Sequence, residues 1–152
     1  MQMNNGYGGL NPLLGKVWNA PNTAIGLVVG GLGIPFGAEP HFGNNALQFE
    51  KPPFMFGGDI TLGNVICYRK DITSKKPLFE NSPFNFGDHE WQHTKQGEQL
   101  GPFYFPAYAM FGLGSLLNGG EFFGLGNRME TGPYLPETGP VIGPPQPPRP
   151  WP

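Results

Sequence analysis

Glycine and proline interrupt this chain so often that long regular elements have little room. The 152 residues include 25 glycines and 19 prolines, and both residue types weaken or end helices and strands. Disordered chains share such a composition, but they are poor in aromatic residues and rich in charge. Here 14% of the residues are aromatic and 13% are charged. The sequence therefore predicts a folded, loop-rich domain with an aromatic core.

The charge and the cysteine content exclude several classes of protein. The formal net charge is −2, and no cluster of basic residues exceeds the pair Lys75 and Lys76, so binding to nucleic-acid phosphates is not expected. The single Cys67 cannot form an intrachain disulfide. The polar segment 1–9 lacks the basic start and apolar run of a secretory signal. Localisation therefore stays open: if the protein leaves its cell, a dedicated export system is expected to deliver it, or the chain is part of a longer one.

The residue pattern predicts an α+β fold. Residues 45–72 are rich in alternating and β-branched positions and predict a small, mostly antiparallel sheet. A helix is expected over 86–99, after Asn85 as the N-terminal cap, and an apolar helix over 103–117. We expect the sheet to pack on both helices.

Two apolar segments raise the question of a membrane. The segment 103–117 is shorter than the ~20 residues of a spanning helix, so it predicts a buried core helix, with membrane contact as the alternative. The second apolar segment predicts a helix over 23–32, capped by Asn22. Its small face is formed by Gly26, Gly30 and Gly33. Such a face would let another backbone approach closely.

The C-terminal part differs from the rest of the chain. Residues 131–152 contain nine prolines, which favours extended polyproline II conformation. We expect one compact domain over 1–130 and a proline-rich strap or tail over 131–152, with Trp151 as an anchor. A ligand for an aromatic groove is the alternative interpretation of this tail.

Two of the three histidines lie in the motif His-Glu-Trp-Gln-His at 89–93. At about 100° per residue, positions i and i+4 of a helix lie ~40° apart, so His89 and His93 can reach one ion. Glu90 lies close enough to bond to a metal-bound water without ligating. The motif therefore predicts a zinc site with two histidine ligands and Glu90 as general base. A structural His–Glu cluster is the alternative.

This segment resembles the zincin metallopeptidases, whose active-site helix carries the same motif. The residues His93-Thr94-Lys95-Gln96, followed by Leu100 to Tyr108, look like those of compact bacterial zincin-like domains. Some of these occur as toxin modules at the ends of larger secreted or contact-delivered proteins. The resemblance covers about residues 58–135. It implies a zinc-dependent peptidase with a peptide or protein substrate, and, for a toxin, a cognate inhibitor protein.

The resemblance also implies a third metal ligand. In zincins of the glutamate type this ligand is a downstream glutamate, and the candidates are Glu121, Glu130 and Glu137. We favour Glu130 because the apolar helix between it and His93 can return the chain towards the site. His41 is the other candidate, as a ligand or as a hydrogen-bond donor.

Two tyrosines follow the motif at helical spacing. Tyr104 is the candidate donor to the oxyanion that develops during hydrolysis, and Tyr108 shares its face. Aromatic core packing is the alternative role for both. Cys67 lies in a β-rich apolar segment and is expected to be buried and inert. Two non-catalytic functions remain open: a membrane-interacting module that uses 103–117, and a binding module in which the histidine motif is structural.

Overall fold

A computed structural model of the protein describes residues 12–52, 58–69, 71–78, 80, 84–124 and 126–131. The expected proline-rich strap, apart from its first residue, and the anchor Trp151 lie outside the described residues, as do segment 1–9 and Glu137.

The α+β class is confirmed. The helices are α1 (Pro12–Trp18), α2 (Ala20–Gly33), α3 (Phe86–Leu100) and α4 (Tyr104–Leu117), and the strands are β1 (Glu39–Gly43), β2 (Ala46–Glu50), β3 (Ile60–Leu62) and β4 (Val65–Cys67). Short 3₁₀ turns follow α2 at Ile34–Phe36 and precede α4 at Gly101–Phe103.

The four strands form one small mixed sheet in the order β1-β2-β4-β3. Two of the three pairings are antiparallel, and β2 pairs with β4 in parallel. The sheet begins at Glu39, before the expected range, because Asn44 and Asn45 adopt positive φ angles and close a tight hairpin. Gly63, with a φ of +67°, opens the turn between β3 and β4. Because β3 is last in the strand order, it forms an edge of the sheet.

The sheet has a different neighbour on each face. Val65 and Cys67 belong to the apolar cluster that contains Val29 of α2. Ile66 and Tyr68 alternate with them and pack with Phe86 of α3. Helix α3 therefore covers one face of the sheet and α2 covers the other.

Helix α2 contacts the sheet through glycines, as expected. A Cβ built on Gly30 would overlap the ring of the buried Phe49. The expected cap at Asn22 is wrong, because the helix begins at Ala20 and Asn22 lies inside it. The Asn22 amide is buried and donates to the carbonyl of Gly101 at 2.8 Å. Its polar side chain ties α2 to the end of α3.

Helix α3 begins as predicted. The Asn85 side chain accepts a hydrogen bond from the Asp88 backbone N–H at 2.8 Å, and the Asp88 carboxylate accepts one from the Asn85 N–H at 3.0 Å. This reciprocal capping box satisfies two backbone donors of the first turn. Gly101 ends the helix with a φ of +54°.

Helix α4 forms where it was expected, but the expectation of a buried core helix is wrong. Only Tyr104, Gly112 and Ser115 of this helix are buried, whereas Met110 is 73% exposed and Leu117 is 88% exposed. The helix meets α3 near its own beginning, and its outer side has no cover in the described part of the chain. Within those residues, no helix is long and apolar enough to cross a membrane.

Candidate metal centre

Helix α3 brings its two histidines to one point. His89 and His93 lie one turn apart, and their Nε2 atoms are 3.2 Å from each other. The ring centroids are 4.8 Å apart, and the rings are nearly perpendicular. His93 is buried and His89 is partly buried. Both imidazoles therefore direct the same type of nitrogen into one small volume.

Glu130 completes a group of three. Its Oε2 lies 3.1 Å from the Nε2 of His89 and 3.5 Å from the Nε2 of His93. Bonds of ~2.0–2.1 Å at tetrahedral angles would separate two ligand atoms by about 3.3 Å, so all three distances suit one central ion. The His89, His93 and Glu130 group could hold a metal ion.

Two glutamines of α3 hold the segment that carries Glu130. Gln92 Nε2 donates to the Glu130 carbonyl at 3.1 Å, and Gln96 Nε2 donates to the Met129 carbonyl at 2.7 Å. Each glutamine lies three residues after a histidine, on the neighbouring part of the same helix face. The hydroxyl of Tyr108 donates to the Glu130 carboxylate. The backbone and the side chain of Glu130 are therefore both positioned.

Gln96 also sets the protonation of His93. Its Nε2 is engaged with a carbonyl, so its Oε1 faces the Nδ1 of His93, at 2.8 Å. A carbonyl oxygen only accepts, so Nδ1 carries the hydrogen in the neutral ring. The lone pair of the neutral imidazole is then on Nε2, which faces the centre of the group. This is how an outer hydrogen bond orients a histidine ligand.

The charges in the group shift one another's pKa values. Burial acts to raise the pKa of Glu130, but its hydrogen bonds with His89 and His93 outweigh burial and hold the pKa well below its usual range. For His93, burial acts to lower the pKa, but the hydrogen bond with Glu130 and the charges of Glu90 and Glu130 together outweigh it, so the pKa is raised. The group thus stabilises Glu130 as a carboxylate.

Glu90 stands beside this group. Its side chain is 3% exposed, and its Oε2 accepts a hydrogen bond from the hydroxyl of Thr61 at 2.5 Å. Its Oε1 lies 4.0 Å from His89 Nε2. Strand β3, which carries Thr61, therefore fixes Glu90 next to the group, at a greater distance than Glu130.

These residues open into a cavity of about 560 Å³ between α3, α4 and the edge strand β3. Its walls combine apolar side chains with three carboxylates. The apolar residues are Ile60, Leu78, Phe86, Phe105 and Phe123, and the acidic ones are Asp59, Glu90 and Glu130. Substrate-sized ligands fit a cavity of this size and composition.

The two tyrosines of α4 both line the cavity but differ in their partners. The hydroxyl of Tyr108 is engaged with Glu130. Tyr104 is 3% exposed, and among the described residues its hydroxyl has no hydrogen-bond partner. Burial raises the pKa of Tyr104 well above its usual value, so the hydroxyl keeps its proton and is available as a donor.

The other candidate ligands lie elsewhere. Glu121 is exposed and does not belong to the group. His41 lies on β1, at the opposite edge of the sheet from β3, with its Nε2 3.7 Å from Glu50. Cys67 is buried, as expected, and burial raises the pKa of its thiol to about 12.

Sequence reasoning missed Asp59. Its Oδ1 accepts a hydrogen bond from the backbone N–H of Arg69 at 2.6 Å. Burial raises the pKa of Asp59 to about 6; that hydrogen bond opposes the shift and the charge of Glu90 adds to it. Asp59 directly precedes β3 and stands two residues before Thr61, the spacing at which side chains of an extended segment share a side, and both residues line the cavity. This two-residue spacing can identify Asp59 as a cavity residue only once the beginning of β3 is known.

Comparison of the chain with family models, curated proteins and solved structures gives no match.

Proposed function

We propose that the protein is a zinc-dependent hydrolase, a metallopeptidase in which Glu90 is the general base. The observation that carries this proposal is the mutual spacing of 3.1–3.5 Å between the ligand atoms of His89, His93 and Glu130. Two imidazoles and one carboxylate are a donor set that catalytic zinc takes, with a fourth position left for water or substrate. When bound, zinc would polarise a substrate carbonyl and lower the pKa of a water molecule.

Glu90 is suited to accept the proton of the attacking water. It lies next to the ligand group without belonging to it, and Thr61 holds one carboxylate oxygen while the other faces His89. Burial in a mostly apolar cavity strengthens its electrostatic interactions. A positioned general base typically contributes about 10²–10⁴-fold to a rate.

Tyr104 is suited to donate a hydrogen bond to the developing oxyanion. Its hydroxyl is buried in the cavity wall and has no partner in the described part of the chain. A buried, unpaired donor is costly unless a ligand completes its hydrogen bond. Tyr108 has the different role of positioning Glu130.

The edge strand supports a peptide or protein substrate. Ile60 and Thr61 of β3 line the cavity, and among the described strands β3 pairs with β4 alone. An extended peptide can pair with the free side of such a strand through backbone hydrogen bonds. A toxin or effector role, with a cognate inhibitor protein, is the biological setting that we propose for this activity.

The test combines metal analysis with one substitution. We expect one zinc per chain by elemental analysis of the purified protein, and hydrolysis of a peptide library detected by mass spectrometry. Glu90→Gln keeps the shape of the side chain and should retain zinc but lose at least about 100-fold in rate. Glu121→Gln is the matched control and should keep full activity. Absence of stoichiometric metal, or full activity of Glu90→Gln, would refute the proposal.

A membrane-interacting module is the second candidate, and the surface of two helices favours it. Helices α2 and α4 contain no charged residue. Their exposed large apolar side chains include Ile25, Leu27, Val28, Leu32, Met110, Phe111, Leu113, Leu116 and Leu117. Apolar surfaces of this kind mark interaction sites. Co-sedimentation with phosphatidylcholine vesicles that survives both a chelator and His89→Ala would support this function, and no co-sedimentation would exclude it.

A further inference from the structure

Asp59 is a carboxylate in the cavity wall to which the proposed hydrolysis assigns no step. It directly precedes β3, and Thr61, two residues later, contacts Glu90 at 2.5 Å. Alternate side chains of a strand share a face, and two residues span about 7 Å. Asp59 therefore lies one strand repeat away from the residue that holds the proposed general base.

Among the described residues Asp59 forms no ion pair, and the charges of Arg69 and His89 lower its pKa by less than burial raises it. Its hydrogen bond comes from the backbone of Arg69, whereas the guanidinium of Arg69 is paired with Asp71 at 2.8 Å. Of the residues described around the cavity, none is a lysine or an arginine. A divalent ion would offset the charges of Glu130 and Glu90. The charge of Asp59 would then remain in a wall that is otherwise largely apolar, which is costly unless a ligand pairs with it.

We propose that Asp59 is a specificity-determining residue that binds a cationic group of the substrate, either a lysine or arginine side chain or a free α-ammonium group. This inference rests on the proposed peptidase function and names its substrate class: peptides with a positive charge within a few residues of the scissile bond. The aromatic walls at Phe105 and Phe123 suit the alkyl stem of such a residue, with its charged end at the carboxylate.

The experiment measures binding without turnover. Heptapeptides are titrated calorimetrically into Glu90→Gln protein, with and without added zinc. Each peptide carries lysine, norleucine or glutamate at one position, scanned along the peptide, with the N-terminus either free or acetylated. We expect lysine to bind about tenfold more tightly than norleucine at one position, or the free N-terminus about tenfold more tightly than the acetylated one. These two arms distinguish a side chain from an α-ammonium group.

The substitution Asp59→Asn, added to Glu90→Gln, should abolish this preference and retain one zinc per chain. Three results would overturn the proposal: no preference for charge at any position, a preference that persists in Asp59→Asn, or loss of zinc from Asp59→Asn, which would make Asp59 a metal ligand. If Asp59→Asn does not fold, the comparison of peptides on Glu90→Gln alone tests the proposal, and equal binding of lysine, norleucine and acetylated peptides would overturn it. Failure of the parent protein to hydrolyse any peptide would refute the proposed function, whereas the binding preference would still test Asp59.

Discussion

Replacing Asp59 by asparagine should stabilise the metal-free protein at neutral pH. Folding raises the pKa of this carboxyl from 3.8 to about 6, with burial as the largest cause. A difference of that size corresponds to about 3 kcal/mol at pH 7. The side chain is only partly buried, so solvent screening reduces the expected effect to about 1.5 kcal/mol. Asparagine retains the oxygen that accepts from the Arg69 N–H, so the hydrogen bond is kept.

The sign of this effect fixes its pH dependence. The folded protein binds the Asp59 proton more tightly than the unfolded chain does, so ionisation works against folding. The penalty is complete above the folded pKa of about 6 and vanishes below the unfolded pKa near 4. Asp59→Asn should therefore melt about 5 °C higher at pH 7.5, and the difference should vanish towards pH 4.

Thermal unfolding followed by circular dichroism, in the presence of a chelator, measures this difference. Asp71→Asn is the control, because its exposed carboxylate pairs with Arg69 and that hydrogen bond lowers its pKa; it should bring no gain at pH 7.5. If Asp59→Asn gains nothing at pH 7.5, or gains equally at pH 4, Asp59 is not an uncompensated charge. In that case the Asp59 carboxylate would offer a cationic substrate group no electrostatic advantage.

Three further predictions test the scaffold around the site. Gln96→Leu removes the hydrogen bonds that orient His93 and the Glu130 segment. Zinc affinity, measured by competition with a chelator, should therefore fall about 10–100-fold. Unchanged affinity would contradict this role of Gln96. Gly30→Ala forces a methyl group against Phe49 and should cost about 1–2 kcal/mol in urea unfolding, whereas Gly31→Ala, which has open space, should be neutral or stabilising. The Cys67 thiol, with a pKa of about 12, should resist iodoacetamide at pH 8 in the folded protein and react once urea unfolds the chain.

The local features were predictable because neighbouring residues determine them. The cap at Asn85 and the helix over His89 and His93 depend on contacts within a few positions. A helix also fixes which residues share a face. Two ligand candidates one turn apart could therefore be named before the fold was known.

Features that depend on distant packing were not predictable in the same way. Glu130 was favoured among several glutamates, but its juxtaposition with α3 depends on Gln92 and Gln96, whose partners are backbone carbonyls. The register of β3 had to be known before Asp59 could be assigned to the cavity. The apolar composition of α4 predicted burial, but composition does not determine which side of a helix meets a neighbour, and most of its large side chains are exposed.

The rear face of α3 explains how so polar a helix holds a fixed orientation. Thr94 accepts a hydrogen bond from Asn45 at 3.0 Å. The buried carboxylate of Glu98 accepts hydrogen bonds from Asn45 at 2.8 Å and from Lys95 at 2.9 Å. It also lies 3.2 Å from the ammonium group of Lys16. Burial acts to raise the pKa of Glu98, but the hydrogen bonds from Asn45, Lys95 and Asn64, with the charge of Lys95, outweigh it and lower the pKa. Hydrogen bonds have direction, whereas apolar contacts tolerate rotation. Because the bonds from Asn45 and Lys16 reach α3 on the side opposite the histidines, a rotation of α3 that turned the imidazoles out of the cavity would break them.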